Sequence, residues 1–303
     1  MNNAPELSVL IVNYKAGPLL RECLQSIYTG QEGVSLEGIV IDNASPLEDV
    51  AFIPGEFPQV KLAVNRHNLG FSRAYNQAIR QARGEFLLLL NPDTTVHPGA
   101  LSALVSFMKK TPDCGALGAK LLNPDGSVQL SCRNFPSHRT ALFSRHSLLT
   151  RLFPRNRFSQ EYLLSGLDHE SPHQVEWVSG ACLLTRRKVV EEVGLLDEGY
   201  FMYAEDVDWC YRMSQAGWKT YYCPEAVVSH HVGQSSQTRP FRSLIARHRS
   251  MWHFYRKHYK RQPKLLDIAT FLGITLRCLF LLSLQGFRQA GGKLAAVWRG
   301  KGS

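Results

Sequence analysis

The chain lacks the usual phosphate-binding and redox devices. It has no GxxxxGK loop, and no GxGxxG follows its first strand-like run, so neither a P-loop nor a dinucleotide-binding reading has support. Its seven cysteines, Cys23, Cys114, Cys132, Cys182, Cys210, Cys223 and Cys278, form no CxxC pair, and their number is odd. This excludes a zinc ribbon and argues against a disulfide framework, so a reducing cytosol fits best. The opening Met-Asn-Asn-Ala-Pro-Glu has no basic segment before the first apolar run, and no secretory signal is expected. Acid is missing from one long stretch. Between Ala226 and Leu266 there is no Asp or Glu, while Arg239, Arg242, Arg247, Arg249, Arg256, Lys257, Lys260, Arg261 and Lys264 all fall there. Most of the net charge of +10 therefore sits in one late segment. Such a segment suits an anionic partner, with a solvated basic face as the plain alternative.

What is present fits one large α/β domain with a tail: 303 residues, 44% hydrophobic and 20% charged. Leu7 to Val12, Gly38 to Ile41, Val60 to Val64 and Glu85 to Leu90 read as buried strands. Helical patterns run from Pro18 to Ile27 and from Phe71 to Arg83 between them. That alternation predicts a mostly parallel sheet with helices on both faces. Further on, the pattern predicts a helix over 99–109, a strand over 115–122 and a turn at Asn123-Pro124-Asp125-Gly126. A strand over 178–184, helices over 187–193 and 206–216, and a strand over 219–222 follow. Residues 131–175 mix Pro, Arg, His and Ser with short apolar pieces and read as a substrate-facing insertion.

Polar residues stand where the apolar strands end: Asn13 after the first, Asp42-Asn43 after the second, and Asn91-Pro92-Asp93 after the Glu85–Leu90 run. Open α/β sheets place their ligand crevice at such ends, so Asn13, Asp42 and Asp93 are expected to converge. With no phosphate loop, a bound diphosphate would need a divalent cation held by carboxylates, and Asp93 suits that role. A turn Asp after Pro92 is the simpler alternative. Glu205-Asp206-Val207-Asp208 opens a helical pattern, so it can serve chemistry or merely complement the helix dipole. His230-His231 can ligate a metal or be structural. Together, one carboxylate to hold a metal, another to take a proton and a later histidine meet the needs of sugar transfer from a nucleotide diphosphate.

The chain resembles the inverting family-2 glycosyltransferases of the GT-A fold, rhamnosyltransferase-like branch. The likeness runs from about Leu7 to Ser236 and rests on ordered blocks. These are Val9 to Tyr14, Val40 to Ser45, Asn65 to Phe71 with Asn76, Leu90 to Asp93, Ser179-Gly180-Ala181, Asp197-Glu198 through Phe201, Tyr203 to Asp208, and His230 to Ser235. The resemblance implies that Asp42 binds the pyrimidine base, with Asn13 and Asn43 lining its pocket. It implies that Asn68, Gly70, Asn76 and Asn91 line the donor site. Asp93 would be the last acid of the metal motif, and Asp206 the catalytic base. Ser179, Gly180 and Glu205 would lie on the acceptor side, and His230 would bind the Mg²⁺ or Mn²⁺ cofactor. The motif departs from the family pattern in having Asn91 and Pro92 before Asp93, and Arg73 stands where glycine is more usual.

The implied activity is inverting, metal-dependent transfer of a sugar, first of all rhamnose from dTDP-rhamnose, to a hydroxyl of a glycan or lipid-linked acceptor in cell-surface polysaccharide synthesis. A metal-dependent phosphohydrolase or nucleotidyltransferase, and a non-catalytic sugar-nucleotide-binding protein, are the rivals. The expected division is a catalytic domain over 1–238, with donor and acceptor halves meeting near residue 97, and a basic, apolar helical tail over 239–303. Leu265 to Leu284 is long enough to span a bilayer, yet carries Asp267 and Arg277. A helix lying on the anionic inner face of the cell membrane is therefore expected. A buried tail helix, or one pairing two subunits, is the alternative. No nucleic-acid partner is expected.

Overall fold

A computed structural model describes residues 4–29, 33–136, 166–231, 240–259 and 263–299, together with Tyr162 and Leu164. Strands β1 (Leu7–Asn13), β2 (Leu36–Asp42) and β4 (Phe86–Leu90) are buried nearly throughout. Both faces are covered, which is why these strands read as continuous apolar runs. Val9 and Ile11 face α1 (Gly17–Tyr28) through Leu20, Cys23, Leu24 and Ile27. Leu10 and Val12 face α3 (Phe71–Gln81) through Tyr75, Ala78 and Ile79. The period-two alternation of strand side chains thus divides the core into two layers.

β2 and β4 flank β1 in parallel, and β3 (Lys61–Val64) adds outside β2, past the short helix α2 (Ile53–Glu56). Asn13 lies opposite Asp42, and Asp42 opposite Val64. The expected convergence of Asn13 and Asp42 follows from this register.

After β5 (Thr94–Val96) and α4 (Ala100–Lys110) come β6 (Cys114–Leu122), β7 (Cys132–Arg133), β8 (His173–Val175), β9 (Trp177–Val178) and β10 (Cys182–Arg186). The expected single strand over 178–184 is broken at Ser179-Gly180-Ala181, separating β9 from β10. β10 runs antiparallel between β4 and β6. Helices α5 (Arg187–Val193) and α6 (Glu205–Gln215) precede β11 (Lys219–His230). β11 continues eight residues past the expected end at Tyr222. Its register against β6 shifts between Cys223 and Val227, and that irregularity accommodates Pro224. The sheet order is β3-β2-β1-β4-β10-β6-β11-β5, with β8 also on β11 and β7-β9 as a separate ribbon. This is the expected α/β architecture, mostly parallel with antiparallel members in its second half. Of the substrate-facing insertion, residues 137–161 lie outside the described residues.

Two helices follow. α7 (Pro240–His258) is fastened to the α/β body. Lys257 Nζ reaches Asp197 at 2.7 Å and Asp208 at 2.8 Å, and His258 Nε2 lies 2.7 Å from Asp208. Ser250 Oγ donates to the Met202 carbonyl at 2.8 Å. α8 (Lys264–Arg299) packs on α7. Its two embedded charges turn inward: Asp267 Oδ1 accepts from Tyr255 OH at 2.8 Å, and Arg277 contacts Met251. The outward side is apolar, with Leu265, Ile268, Leu272, Leu276, Leu279 and Phe287 each at least half exposed. Residues Lys264–Phe287 are long and apolar enough to cross a membrane, and none of that window is buried.

Candidate functional site

The side expected to hold the donor is built from loops after β1, β2 and β3. Asn13 Nδ2 donates to Asp42 Oδ1 at 2.7 Å, and the Ser45 N–H donates to Asp42 Oδ2 at 2.9 Å. Lys15 and Ala44 both hold positive φ (57° and 67°), which turns each loop sharply off its strand. Asn43 is the organiser. Its Nδ2 donates to Asn68 Oδ1 and the Gly70 carbonyl, and its Oδ1 accepts from Asn65 Nδ2 and the Leu69 N–H. Asn76 reaches across to the loop after α5, donating to the Leu196 carbonyl at 2.9 Å and accepting from its N–H at 3.1 Å. Asn43, Asn68 and Asn76 therefore hold loops together, while Asn13 Oδ1 is buried without a partner. Gly70 (φ +87°) meets Phe201, and a Cβ there would stand 2.7 Å from the Phe201 ring. Arg73 pairs with Glu198 at 3.4 Å.

The loop from Asn91 to Asp93 meets the end of β11, because Thr94 pairs with His230. Asp93 Oδ1 and His230 Nε2 stand 3.3 Å apart, and both residues are at least nine-tenths buried. His230 Nδ1 donates to Gln129 Oε1 at 2.8 Å. Gln129 can only accept there, since its own amide N–H₂ donates to Asn123 Oδ1 at 3.0 Å. With Nδ1 so engaged, Nε2 is the ring nitrogen that faces Asp93. Asn91 Oδ1 is buried without a partner nearby. This oxygen and nitrogen donor set suits Mg²⁺ or Mn²⁺. Among the described residues no three His, Cys, Asp or Glu side chains cluster as a metal site, so donor oxygens would have to complete the shell.

Asp206 sits in the first turn of α6. Its Oδ2 accepts the Gly180 N–H at 2.9 Å and its Oδ1 the Val207 N–H at 2.9 Å. The Ser179–Ala181 break in the strand supplies that donor. The same turn's Ala181 carbonyl accepts the Asn91 N–H at 3.0 Å. One turn therefore touches both the Asp206 carboxylate and the Asp93 loop. Burial pushes the Asp206 carboxyl above the ordinary Asp range, against the two N–H donors. Burial, followed by the Asp206 charge, pushes Glu205 up to about 8, and Glu205 Oε2 has no partner. Both carboxyls are thus raised, Glu205 by its neighbour's charge as well as by burial. Tyr203 and Ala204, which lead into this pair, both have positive φ (72° and 65°), costing roughly 1–2 kcal/mol each.

Asp208, two residues on, has a different role. It is fully buried and held well below the usual carboxylate range, despite burial, by hydrogen bonds from His258 and Lys257 and by Arg212. It anchors α7. Sequence reading also missed Gln129, Arg133 and the clamp by Glu198 on Asn76. Gln129 had a signal: the turn at 123–126 folds the chain back so that its N–H donates to the Leu121 carbonyl on β6. Arg133 lies under the Trp177 ring and favours the Asp206 charge. A cleft of about 650 Å³ is lined by Glu6, Ser35 and Glu85 at the opposite, amino ends of the strands, away from this chemistry.

The geometry is that of a GT-A glycosyltransferase. The fold is similar to a mannosyltransferase from Pyrobaculum calidifontis in complex with GDP-Man and Mn²⁺, with a TM-score of 0.57 at 18% identity, covering 97% of this chain and 81% of the other. A family model described as glycosyltransferase-like family 2 matches residues 4–261, and the chain belongs to that family. It is 36% identical over 259 residues to the N-acetylglucosaminyl-diphospho-decaprenol L-rhamnosyltransferase of Mycobacterium tuberculosis, covering 82% of this chain and 83% of that one. It is 27% identical to the rhamnosyltransferase WbbL of Escherichia coli over 58% of this chain and 65% of the relative.

Proposed function

We propose that the chain transfers rhamnose from dTDP-rhamnose, with inversion, to a hydroxyl of a lipid-linked diphospho-sugar in cell-surface polysaccharide synthesis. The observation that carries this reading is the Ser179–Ala181 turn, which holds Asp206 by the Gly180 N–H and the Asp93 loop by the Ala181 carbonyl. The identity to the mycobacterial rhamnosyltransferase supports the sugar and the acceptor class.

The roles follow from the atoms. Asn13 Oδ1, buried beside Asp42, is an acceptor for the imide N–H of a pyrimidine base. Asn43, Asn68, Gly70 and Asn76 hold the donor loops in shape. Asn91, Asp93 and His230 face the donor diphosphate. A divalent cation held by Asp93 and His230 would neutralise the charge gathering on the departing diphosphate. Asp206 takes the proton of the acceptor hydroxyl as the new bond forms; a carboxylate is too weak to ionise that hydroxyl beforehand, so proton transfer accompanies attack. Attack from the face opposite the leaving group inverts the anomeric centre. Ser179, Gly180 and Glu205 border the acceptor hydroxyl, and neutral Glu205 leaves Asp206 as the sole negative charge of the pair.

Working on a lipid-linked acceptor, the protein sits on the cytoplasmic face of the membrane. Exposed Arg247 and Arg256 on α7, with the uncovered apolar side of α8, meet an anionic leaflet. Pairing of α8 with a second copy is the competing way to cover that side. The test of the activity is product analysis by mass spectrometry with dTDP-rhamnose and Mg²⁺ or Mn²⁺, with and without a GlcNAc-diphospho-lipid acceptor. A new disaccharide lipid with inverted configuration is expected. Hydrolysis of donor at the same rate without acceptor overturns the reading in favour of a phosphohydrolase.

A further inference from the structure

A second cleft, about 350 Å³, lies between α7 and the loop that leads into α6. Phe201 and Gly199 line it from the loop, and Arg242, Ile245, Arg249 and Ser250 from α7. Its charge is one-sided. Arg242 and Arg249 are exposed and pair with no carboxylate among the described residues. The neighbouring acids are engaged elsewhere: Asp197 by Lys257 at 2.7 Å and His253 at 3.2 Å, Asp208 by Lys257, His258 and Arg212. Its remaining wall is apolar. Phe201 is 53% exposed and Ile245 42%, an unusual display for residues beside two free guanidinium groups.

The cleft is tied to the site on both sides. The Phe71 N–H, which opens the donor-side helix α3, donates to the Phe201 carbonyl at 2.7 Å. Ser250 on α7 holds the next carbonyl of that loop, Met202, at 2.8 Å. The next two residues, strained Tyr203 and Ala204, deliver Glu205 and Asp206, and Arg247 covers the Tyr203 ring at 4.8 Å. A ligand here would lie along the approach to Asp206. Two guanidinium groups bind phosphate oxygens through paired N–H donors, and the adjoining phenyl and isobutyl-sized surfaces accept hydrocarbon.

We infer that this cleft binds the lipid diphosphate of the acceptor, Arg242 and Arg249 holding the phosphates and Phe201 and Ile245 the first isoprenoid units. This rests on the lipid-linked acceptor proposed above. The acceptor sugar, bonded to the diphosphate, then extends along the Tyr203–Asp206 segment, and the chain is left to run into the membrane.

The test uses the full chain in detergent, with excess dTDP and Mg²⁺ to fill the donor site, and reads binding of farnesyl diphosphate by calorimetry. Inorganic pyrophosphate and farnesol are the controls. Farnesyl diphosphate should bind more tightly than either control. Arg242→Gln and Arg249→Gln should each weaken it by roughly tenfold or more, the loss of a charged hydrogen bond. Ile245→Ser should weaken farnesyl diphosphate and leave pyrophosphate unchanged. In turnover assays the arginine variants should raise KM for the lipid-diphosphate acceptor, with kcat and the donor KM unchanged, and should not affect a phosphate-free glycoside acceptor. Equal binding by wild type and both arginine variants overturns the inference. So does an unchanged acceptor KM accompanied by reduced sedimentation with phosphatidylglycerol vesicles, which assigns the arginines to ordinary headgroups. Because binding is read without turnover, a failure of sugar transfer itself leaves this result intact and is recognised separately.

Discussion

The donor loops and the turn around Asp206 are both polar, but they treat their polar groups differently. In the donor loops Asn43, Asn65, Asn68 and Asn76 bond one another or backbone, and of the residues expected on that side Asn13 and Asn91 each keep one buried oxygen without a partner among the described residues. Around Asp206, Glu205 Oε2, Tyr203 OH and Arg133 Nε are all buried without partners, and two successive residues carry positive φ. A network with every member satisfied is rigid, whereas unpaired buried groups and strain cost stability. On the proposed function the difference is a division of labour: a donor side shaped before its ligand arrives, and an acceptor side that keeps unsatisfied groups for chemistry.

The sharpest way to break that contrast is Asp206→Asn. The amide keeps the size of the side chain but cannot take the proton, and one of the two backbone N–H groups loses its acceptor. Transfer should fall about 10²–10⁴-fold while dTDP-rhamnose affinity stays nearly unchanged. A variant retaining a tenth of the wild-type rate would remove Asp206 from the base role. Next in size is Asp93→Ala. Without the carboxylate 3.3 Å from His230 Nε2, both turnover and metal-dependent donor binding should drop, and chelator should do the same to the wild type. Calorimetry decides it: a donor affinity indifferent to both treatments dismisses the cation from the site.

How far the sequence foretold this contrast depends on where each partner lies along the chain. The shared edge of Asn13, Asp42 and Asp93 was readable because each follows an apolar strand, and parallel pairing aligns strand ends. The break at Ser179-Gly180 was not, because Val178 to Leu184 is apolar enough to pass as one strand. Neither was the bent approach to Asp206, since tyrosine and alanine carry no mark of positive φ. Glu205, Asp206 and Asp208 look alike in a row. Packing separates them: beside Arg212, four residues on, the partners that claim Asp208 are Lys257 and His258, 49 and 50 residues later. The tail shows the same limit: Asp267 and Arg277 argue in the sequence against spanning a bilayer, yet both face α7, leaving the outward side apolar.

A smaller effect should come from Asn43→Ala on the donor side. The change strands the Leu69 N–H and the Gly70 carbonyl, at about 1–3 kcal/mol. The melting temperature should fall and the donor KM rise, with kcat affected less. If kcat falls with the donor KM and stability untouched, Asn43 acts on the reacting groups and the donor side is not merely shaped in advance.

The smallest effect should separate Glu205 from Asp206 by pH. Burial and the neighbouring Asp206 charge hold the folded Glu205 carboxyl up near 8, against an ordinary value of 4.5. Its raised value means the folded state binds this proton more tightly than the unfolded chain. The resulting stabilisation is complete below about pH 4.5 and is lost as the pH rises through about 8. Gln mimics the neutral acid and does not titrate. Glu205→Gln should therefore remove this loss, so that its melting temperature gains on the wild type progressively between those two pH values, worth a few kcal/mol at most. Asp206 keeps both backbone donors in this variant, so the acid limb of kcat/KM, set by the raised Asp206 value, should stay in place. Parallel melting curves across the range would mean that Glu205 is ionised in the folded protein. A shift of the acid limb would mean instead that the two carboxyls share the proton, and that Asp206 is not the sole charge on this side.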